Sequence, residues 1–232
     1  MAGPERRFAI VFDFDGTILP ATPWDSEQTL LLARLEGSPR SFPPAKRLYF
    51  RFAAYADRKG WLGEYYKRHY LRLLRGTESG LLDRVASLLA ERISPETRRT
   101  CAALRARGHR LILASCGTLD LAERILRASG ILHYFEALLG NRFVFSGGAI
   151  AGMSLSLPSA KAKLEAVRTS GLKPESTVAV GDGPTDLPLL AWAGVPVVMA
   201  ADGAKWARRL PPSCAFIESL PQILAVLRRH GG

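Results

Sequence analysis

The chain has 232 residues, 47% of them hydrophobic and 23% charged, a soluble globular balance with room for one substantial core and a small second unit. No apolar run approaches the roughly 18 residues of a membrane span, so no membrane partner is expected and the expected location is cytoplasmic. A net charge of +11 admits an anionic ligand, but no nucleic-acid module accompanies it, and nucleic acid is not expected as a partner. The three cysteines, Cys101, Cys116 and Cys214, are scattered and form no metal-ligand spacing with the four histidines, so free thiols are expected and zinc is not.

In chain order, Phe8–Phe12 (FAIVF) reads as a strand buried on both faces, because no polar residue alternates with the apolar ones. Asp13 and Asp15 follow where that strand ends. Side chains two apart on extended backbone point the same way, and Gly16 lets the chain turn, so both carboxylates can face one pocket. Two acids this close repel and call for a cation. The stretch 18–27 reads as a linker ending in a helix N-cap at Asp25-Ser26. Helical periodicity then runs through Leu30–Leu35, a stretch after Pro43-Pro44, Trp61–Arg75 and Leu81–Ile93, broken at Gly37, Gly60 and Gly76. This makes residues 26–93 an all-helical insert.

From Ser94-Pro95 the pattern alternates. A helix over Glu96–Arg107 leads to a strand over Arg110–Ser115, a helix over Leu119–Ser129, a segment Tyr134–Leu139 that leads toward a second strand, and a β-hairpin or flap over Asn141–Leu157. Next come a helix over Ala160–Ser170, a strand over Thr177–Val180, a helix from Leu187, a strand over Val195–Met199, a helix around Ala204–Leu210, a strand over Cys214–Ile217 and a final helix. Strands separated by helices imply an α/β fold with a parallel sheet, the insert entering after the first strand. Ligands of such sheets collect at the strands' carboxyl ends, where Asp13, Asp15, Ser115 and Asp182 fall. Asp182 belongs to GDGPTD at Gly181–Asp186, with two acids four apart. Lys161 opens a helix, and its charge opposes the helix dipole unless an anion compensates.

DFDGT at Asp13–Thr17, a strand ending in Ser115, Lys161 and GDGPTD at Gly181–Asp186 together resemble the haloacid dehalogenase superfamily, chiefly its phosphatase branch. The insert and Asn141-Arg142 resemble the phosphoserine phosphatase subgroup. The resemblance implies a Rossmann-like core of residues 1–20 and 94–232 with an all-helical cap domain of residues 21–93. It implies a Mg²⁺-dependent phosphomonoesterase acting on a small phosphate ester, with Asp13 as nucleophile forming an aspartyl-phosphate and Asp15 as acid and base. Mg²⁺ would be held by Asp13, the Asp15 carbonyl and Asp182, and the phosphoryl group by Thr17, Ser115 and Lys161. Lys163 competes with Lys161 from another helix face, and the family register favours Lys161. Asp186 either supports the lysine or a metal-bound water, or caps the next helix. The absence of a need for a proton in halide departure disfavours dehalogenation, whereas phosphotransfer or phosphomutation through the same intermediate stays open.

Substrate choice is expected from the cap. Relatives carry a glutamate soon after the first motif and a cap arginine. Here Thr22 falls near the former position, so Asp25 or Glu27 could replace the glutamate, and Arg51, Arg58 or Arg68 the arginine. The aromatic and basic stretch Lys46–Arg75 is read as a cap with snorkelling arginines, the alternative being a distant one, a nucleic-acid platform.

Overall fold

The computed structural model describes residues 6–37, 43–45, 48–49, 51–52, 55, 70–199, 210 and 212–231. Its centre is β1 (Ala9–Phe12), fully buried because every residue in it is apolar. Parallel partners flank it, β2 (Arg110–Thr118) on one side and β5 (Thr177–Gly181) on the other, with Phe12 opposite Leu113 and Val180. That common register aligns three strand ends. Beyond β2 lie β3 (Phe135–Ser146) and β4 (Ala149–Ser154), and beyond β5 lie β6 (Val195–Met199) and β7 (Ala215–Ile217), giving the order β4-β3-β2-β1-β5-β6-β7. All neighbours are parallel except β3 and β4. This is the expected α/β architecture.

Alternation along β1 builds two apolar layers. Phe8, Ile10 and Phe12 join helices α1 (Ser26–Gly37), α2 (Ser79–Ala90), α3 (Pro95–Ala106), α4 (Leu119–Ala128) and α7 (Ile223–Arg229). Ala9 and Val11 face α5 (Ala160–Thr169) and α6 (Leu187–Trp192). Helix starts follow local chemistry. The Ser94 side chain accepts from Thr97 N–H and Pro95 fills the first turn, while Ser159 does the same for Ala162 N–H.

Tyr134–Leu139 was expected to lead toward a strand and Asn141–Leu157 to form a β-hairpin or flap; one twelve-residue strand runs through Gly140 and Asn141, and its second half pairs antiparallel with β4 as the expected hairpin. A Cβ on Gly140 would lie 2.7 Å from Leu119 Cγ and 2.9 Å from the Ser115 carbonyl oxygen, so the glycine serves close approach to β2 and does not break the strand. Asn141 is fully buried and satisfied. Its Nδ2 donates to the carbonyls of Cys116 (2.7 Å) and Leu157 (3.2 Å), and its Oδ1 accepts from Leu157 N–H (2.8 Å). It thereby fixes the end of β2 and the approach to α5.

The described ends of the expected cap are sewn into the core. Leu30, Leu31, Tyr70, Leu74 and Leu82 share the apolar layer of Phe12. Gly76 N–H donates to Ile150 O, Ile150 N–H to Thr77 O, and Ser79 N–H to Gly148 O, so the insert's exit is tied to the β3–β4 hairpin. Arg124 on α4 donates to Asp83 Oδ1 (2.7 Å) and Ser79 Oγ (2.9 Å) on α2. Most of residues 38–69 and the expected helix around Ala204–Leu210 lie outside the described residues.

Candidate active site

Register carries the two acid motifs to one place. After β1, Asp13 N–H continues the ladder to Val180 O at 2.9 Å. Gly16 then takes φ +80°, and a Cβ there would sit 1.9 Å from Asp182 Oδ2, so the turn after β1 packs directly on the carboxylate after β5. Gly181 is equally constrained, since a Cβ would fall 2.3 Å from Asp186 Cγ. Oxygens of Asp13, Asp182 and Asp186 consequently lie within 4.8 Å of one another.

The lysine among these acids is Lys163, which corrects the expected register. Its Nζ donates to Asp13 Oδ1 at 2.7 Å and Asp186 Oδ1 at 2.6 Å, and its side chain is fully buried. Lys161 is exposed. Two residues on a helix separate side chains by about 200°, so only one of the pair can face the sheet. The inward face of α5 is Lys163 and Val167, four apart, whereas Lys161, Glu165 and Arg168 form the solvent stripe, with Arg168 and Glu165 paired at 3.7 Å. That periodicity was readable from the sequence.

Asp186 does not cap α6 with its side chain. Its second oxygen accepts from Asp182 N–H and Gly183 N–H, both at 3.1 Å, so the carboxylate joins the GDGPTD turn to Lys163. No donor among the described residues reaches the Asp182 carboxylate. Hard oxygen donors in excess of positive charge, one of them without a hydrogen bond, fit a divalent cation.

Asp15 is tied to the start of α1. Its Oδ1 accepts from Ser26 N–H (2.7 Å) and its Oδ2 from Ser26 Oγ (2.8 Å), so a carboxylate eleven residues upstream holds the first residue of α1. A Cβ on Gly117 would lie 3.2 Å from Ser115 Oγ and 3.8 Å from both Asp15 Oδ2 and Glu27 Oε1, which places these three groups around one small backbone gap. Ser115 Oγ accepts from Gly117 N–H at 3.0 Å and keeps its own proton to donate. Thr17 Oγ1 is buried with no hydrogen-bond partner among the described residues.

Burial dominates the electrostatics. Asp13 is pushed up to about 6 by burial and by Asp186, against the pull of Lys163. Asp15 rises to about 7 through burial, which outweighs the Ser26 hydrogen bonds, with Asp13 and Glu27 adding to the rise. Asp182 rises to about 8 through burial and the charges of Asp13, Asp186 and Asp15. Burial alone would lower the Lys163 ammonium, but Asp13 and Asp186 reverse this and hold it above the ordinary lysine range.

Of the expected specificity residues, Glu27 is buried beside Asp15. Asp25 Oδ1 accepts from Gln28 N–H at 2.7 Å, the geometry of a helix cap. Arg51 is on the surface, 3.4 Å from Glu36. Arg58 and Arg68 lie outside the described residues. The residue sequence reasoning passed over is Ser26, read only as part of a cap; nothing local signals that its partner is Asp15.

The chain is similar to known proteins in sequence and fold. A phosphoserine phosphatase of Albidiferax ferrireducens is 28% identical over 120 residues, 48% of this chain and 49% of that protein, so the chain matches about half the length of this curated relative. A substrate-bound phosphoserine phosphatase complex has the same fold, with TM-score 0.72 at 20% identity over 96% of this chain and 99% of the other. So does a phospho-aspartyl intermediate analogue of phosphoserine phosphatase, with TM-score 0.70 at 21% identity over 96% and 99%. The family model described as haloacid dehalogenase-like hydrolase matches residues 10–191, from β1 through the GDGPTD turn into α6, and the chain belongs to that family.

Proposed function

We propose that the protein is a Mg²⁺-dependent phosphomonoesterase of small phosphate esters that works through an aspartyl-phosphate on Asp13. The observation that carries this reading is the Asp13 carboxylate, held at one oxygen by buried Lys163 and flanked two residues on by a second carboxylate. Asp13 and Asp182, with the Asp15 carbonyl, would hold the cation, which when bound offsets the charge of the phosphoryl oxygens.

The chain's own residues supply the rest. Lys163 orients Asp13 and adds positive charge beside the transferring group. A carboxylate oxygen of Asp13 forms a bond to phosphorus as the ester P–O bond breaks, and the departing oxygen keeps the electron pair and takes a proton from Asp15. Asp15 then accepts a proton from water as the water oxygen attacks phosphorus, releasing phosphate and regenerating Asp13. Ser115 and Thr17 supply hydroxyl donors for phosphoryl oxygens. Four acids, Asp13, Asp15, Asp182 and Asp186, stand against Lys163, so a phosphate dianion gains entry only with the cation present.

The similarity to phosphoserine phosphatases makes an amino-acid or alcohol phosphate the first class to try, and Glu27 beside the acid/base favours a substrate carrying positive charge. The test is hydrolysis of an aryl phosphate with Mg²⁺, followed by a panel of phosphorylated metabolites with and without acceptor alcohols. Asp13→Asn is expected to lower kcat at least about 10³-fold with the fold intact. Full activity in that variant, or in excess chelator, overturns the mechanism; phosphate appearing on an added alcohol would make the enzyme a phosphotransferase.

A further inference from the structure

Positive charge is concentrated in the insert. Between positions 46 and 75 the sequence carries nine Lys and Arg against two Asp and Glu, a net +7 out of the +11 of the whole chain. A polybasic stretch of this kind calls for an anionic partner, and the side chains set between the charges decide which one.

The sequence reads as arginines snorkelling over inward aromatics, and Tyr70, near the end of the stretch, does pack inward and is fully buried. The beginning differs. Positions 48–49, 51–52 and 55 are helical, and there Leu48 is 71% exposed, Tyr49 53%, Phe52 60% and Tyr55 46%. Leu48, Phe52 and Tyr55, spaced four and three apart, share one helix face. Arg51, three residues after Leu48, borders that face, with its side chain 63% exposed. The other large apolar side chains that the described residues expose, Leu88, Val144, Leu155 and Phe216, are scattered over α2, β3, the end of β4 and β7. Single exposed apolar residues are ordinary on a protein surface, whereas four crowded beside a cation mark a contact surface. The apolar strip continues into a hollow of about 290 Å³ against α1, lined by Leu32, Leu35 and Leu48, where Arg51 meets Glu36 at 3.4 Å. So exposed an ion pair contributes little and leaves the arginine able to turn to another anion.

The partner must meet apolar and cationic groups on one helix face together. A nucleic acid would neutralise the arginines and leave Leu48 in water, and a second copy of the chain would set like charge against like. A bilayer containing anionic lipid satisfies both, taking the apolar side chains into the acyl boundary and setting its phosphates against the cations. The expectation of no membrane partner rests on spanning length, and no helix of the described residues is long and apolar enough to cross a membrane. A helix lying in the interface needs no span. We propose that the helical segment at positions 48–55 docks the protein on an anionic membrane surface, with Leu48 and Phe52 entering the acyl boundary and Arg51 meeting lipid phosphate.

The test is co-sedimentation of the whole chain with vesicles of equal parts phosphatidylcholine and phosphatidylglycerol, compared with phosphatidylcholine alone, at about 0.15 M salt. Binding is expected to be at least about tenfold tighter on the anionic vesicles, and to weaken about tenfold or more in Leu48→Ser/Phe52→Ser and in Arg51→Glu. An unchanged thermal melt of the double variant shows that the fold survives. Docking is independent of the phosphomonoesterase reading, so Asp13→Asn should bind vesicles as the wild type does even though it loses hydrolysis. No binding, equal binding to both vesicle types, or binding unaffected by Leu48→Ser/Phe52→Ser overturns the proposal. Two further results would overturn it by naming another occupant. DNA retained equally by the wild type and the double variant, with no vesicle binding, makes the surface a polyanion site, and self-association without lipid that the double variant abolishes makes the occupant a second copy.

Discussion

Lys163→Met is expected to lower kcat about 10²–10³-fold and thermodynamic stability by about 3 kcal/mol, whereas Lys161→Met leaves both close to wild type. The contrast follows from burial. Removing the Lys163 ammonium leaves Asp13 and Asp186 facing each other without the cation that touches both, and breaking a buried pair on one side costs far more than the pair is worth intact. Methionine keeps the length of the side chain, so the loss reports charge and hydrogen bonding more than packing. Lys161 is exposed on the outer stripe of α5, where substitutions fall within about 0.5 kcal/mol. Steady-state kinetics on an aryl phosphate and denaturant melts of the two variants check the pair, and equal effects would contradict the assignment.

A divalent cation is expected to stabilise the protein strongly at pH 8 and weakly at pH 5. Asp13, Asp15 and Asp182 all have folded-state pKa values raised, mainly by burial, from an ordinary 3.8 to about 6, 7 and 8. The folded state therefore binds these protons more tightly than the unfolded chain. Each group's contribution to stability is fully present below about pH 4 and is lost as pH rises through its folded pKa, so the metal-free protein loses stability between about pH 4 and pH 8. A cation binding the ionised acids opposes that loss, and it competes with protons at low pH. At a concentration of about 100 times Kd, binding adds about 2.7 kcal/mol, or about 5–10 °C in Tm for a chain of this size. Mg²⁺ titrations by thermal melt at the two pH values read the difference directly. Asp182→Asn should raise the metal-free Tm at pH 8 and remove most of the Mg²⁺ effect. A Mg²⁺ shift equal at both pH values, or unaffected by that variant, would place the cation elsewhere.

Legibility in the sequence followed the range of the interactions involved. The strand over Phe8–Phe12, its two acids and the GDGPTD turn were readable because hydrophobic run, polar break and glycine lie side by side in the chain. The parallel order of the central strands followed from their separation by helices. At Gly140 the strand continues, because the glycine serves close approach to the Ser115 carbonyl, a long-range contact that its sequence neighbours do not show. The family register pointed to Lys161, whereas Lys163 and Val167, four residues apart, form the buried face of α5. Asp186 could not be assigned from its own neighbourhood, since its role depends on Lys163 reaching it across 23 residues and on Gly181 leaving space beneath it. Ser26 and Arg92 are the extreme case. Their partners are a carboxylate and three carbonyls in a linker of ordinary composition, brought together by the path of the chain between β1 and α1.

The central claim is that Asp13 carries the phosphoryl group. Rapid acid quenching during turnover of para-nitrophenyl phosphate with Mg²⁺, followed by mass spectrometry of the peptide containing DFDGT, measures it. The expected result is one phosphoryl group per chain on Asp13, absent in Asp13→Asn. A phosphoryl group on any other residue, or turnover sustained by Asp13→Asn, would contradict the account.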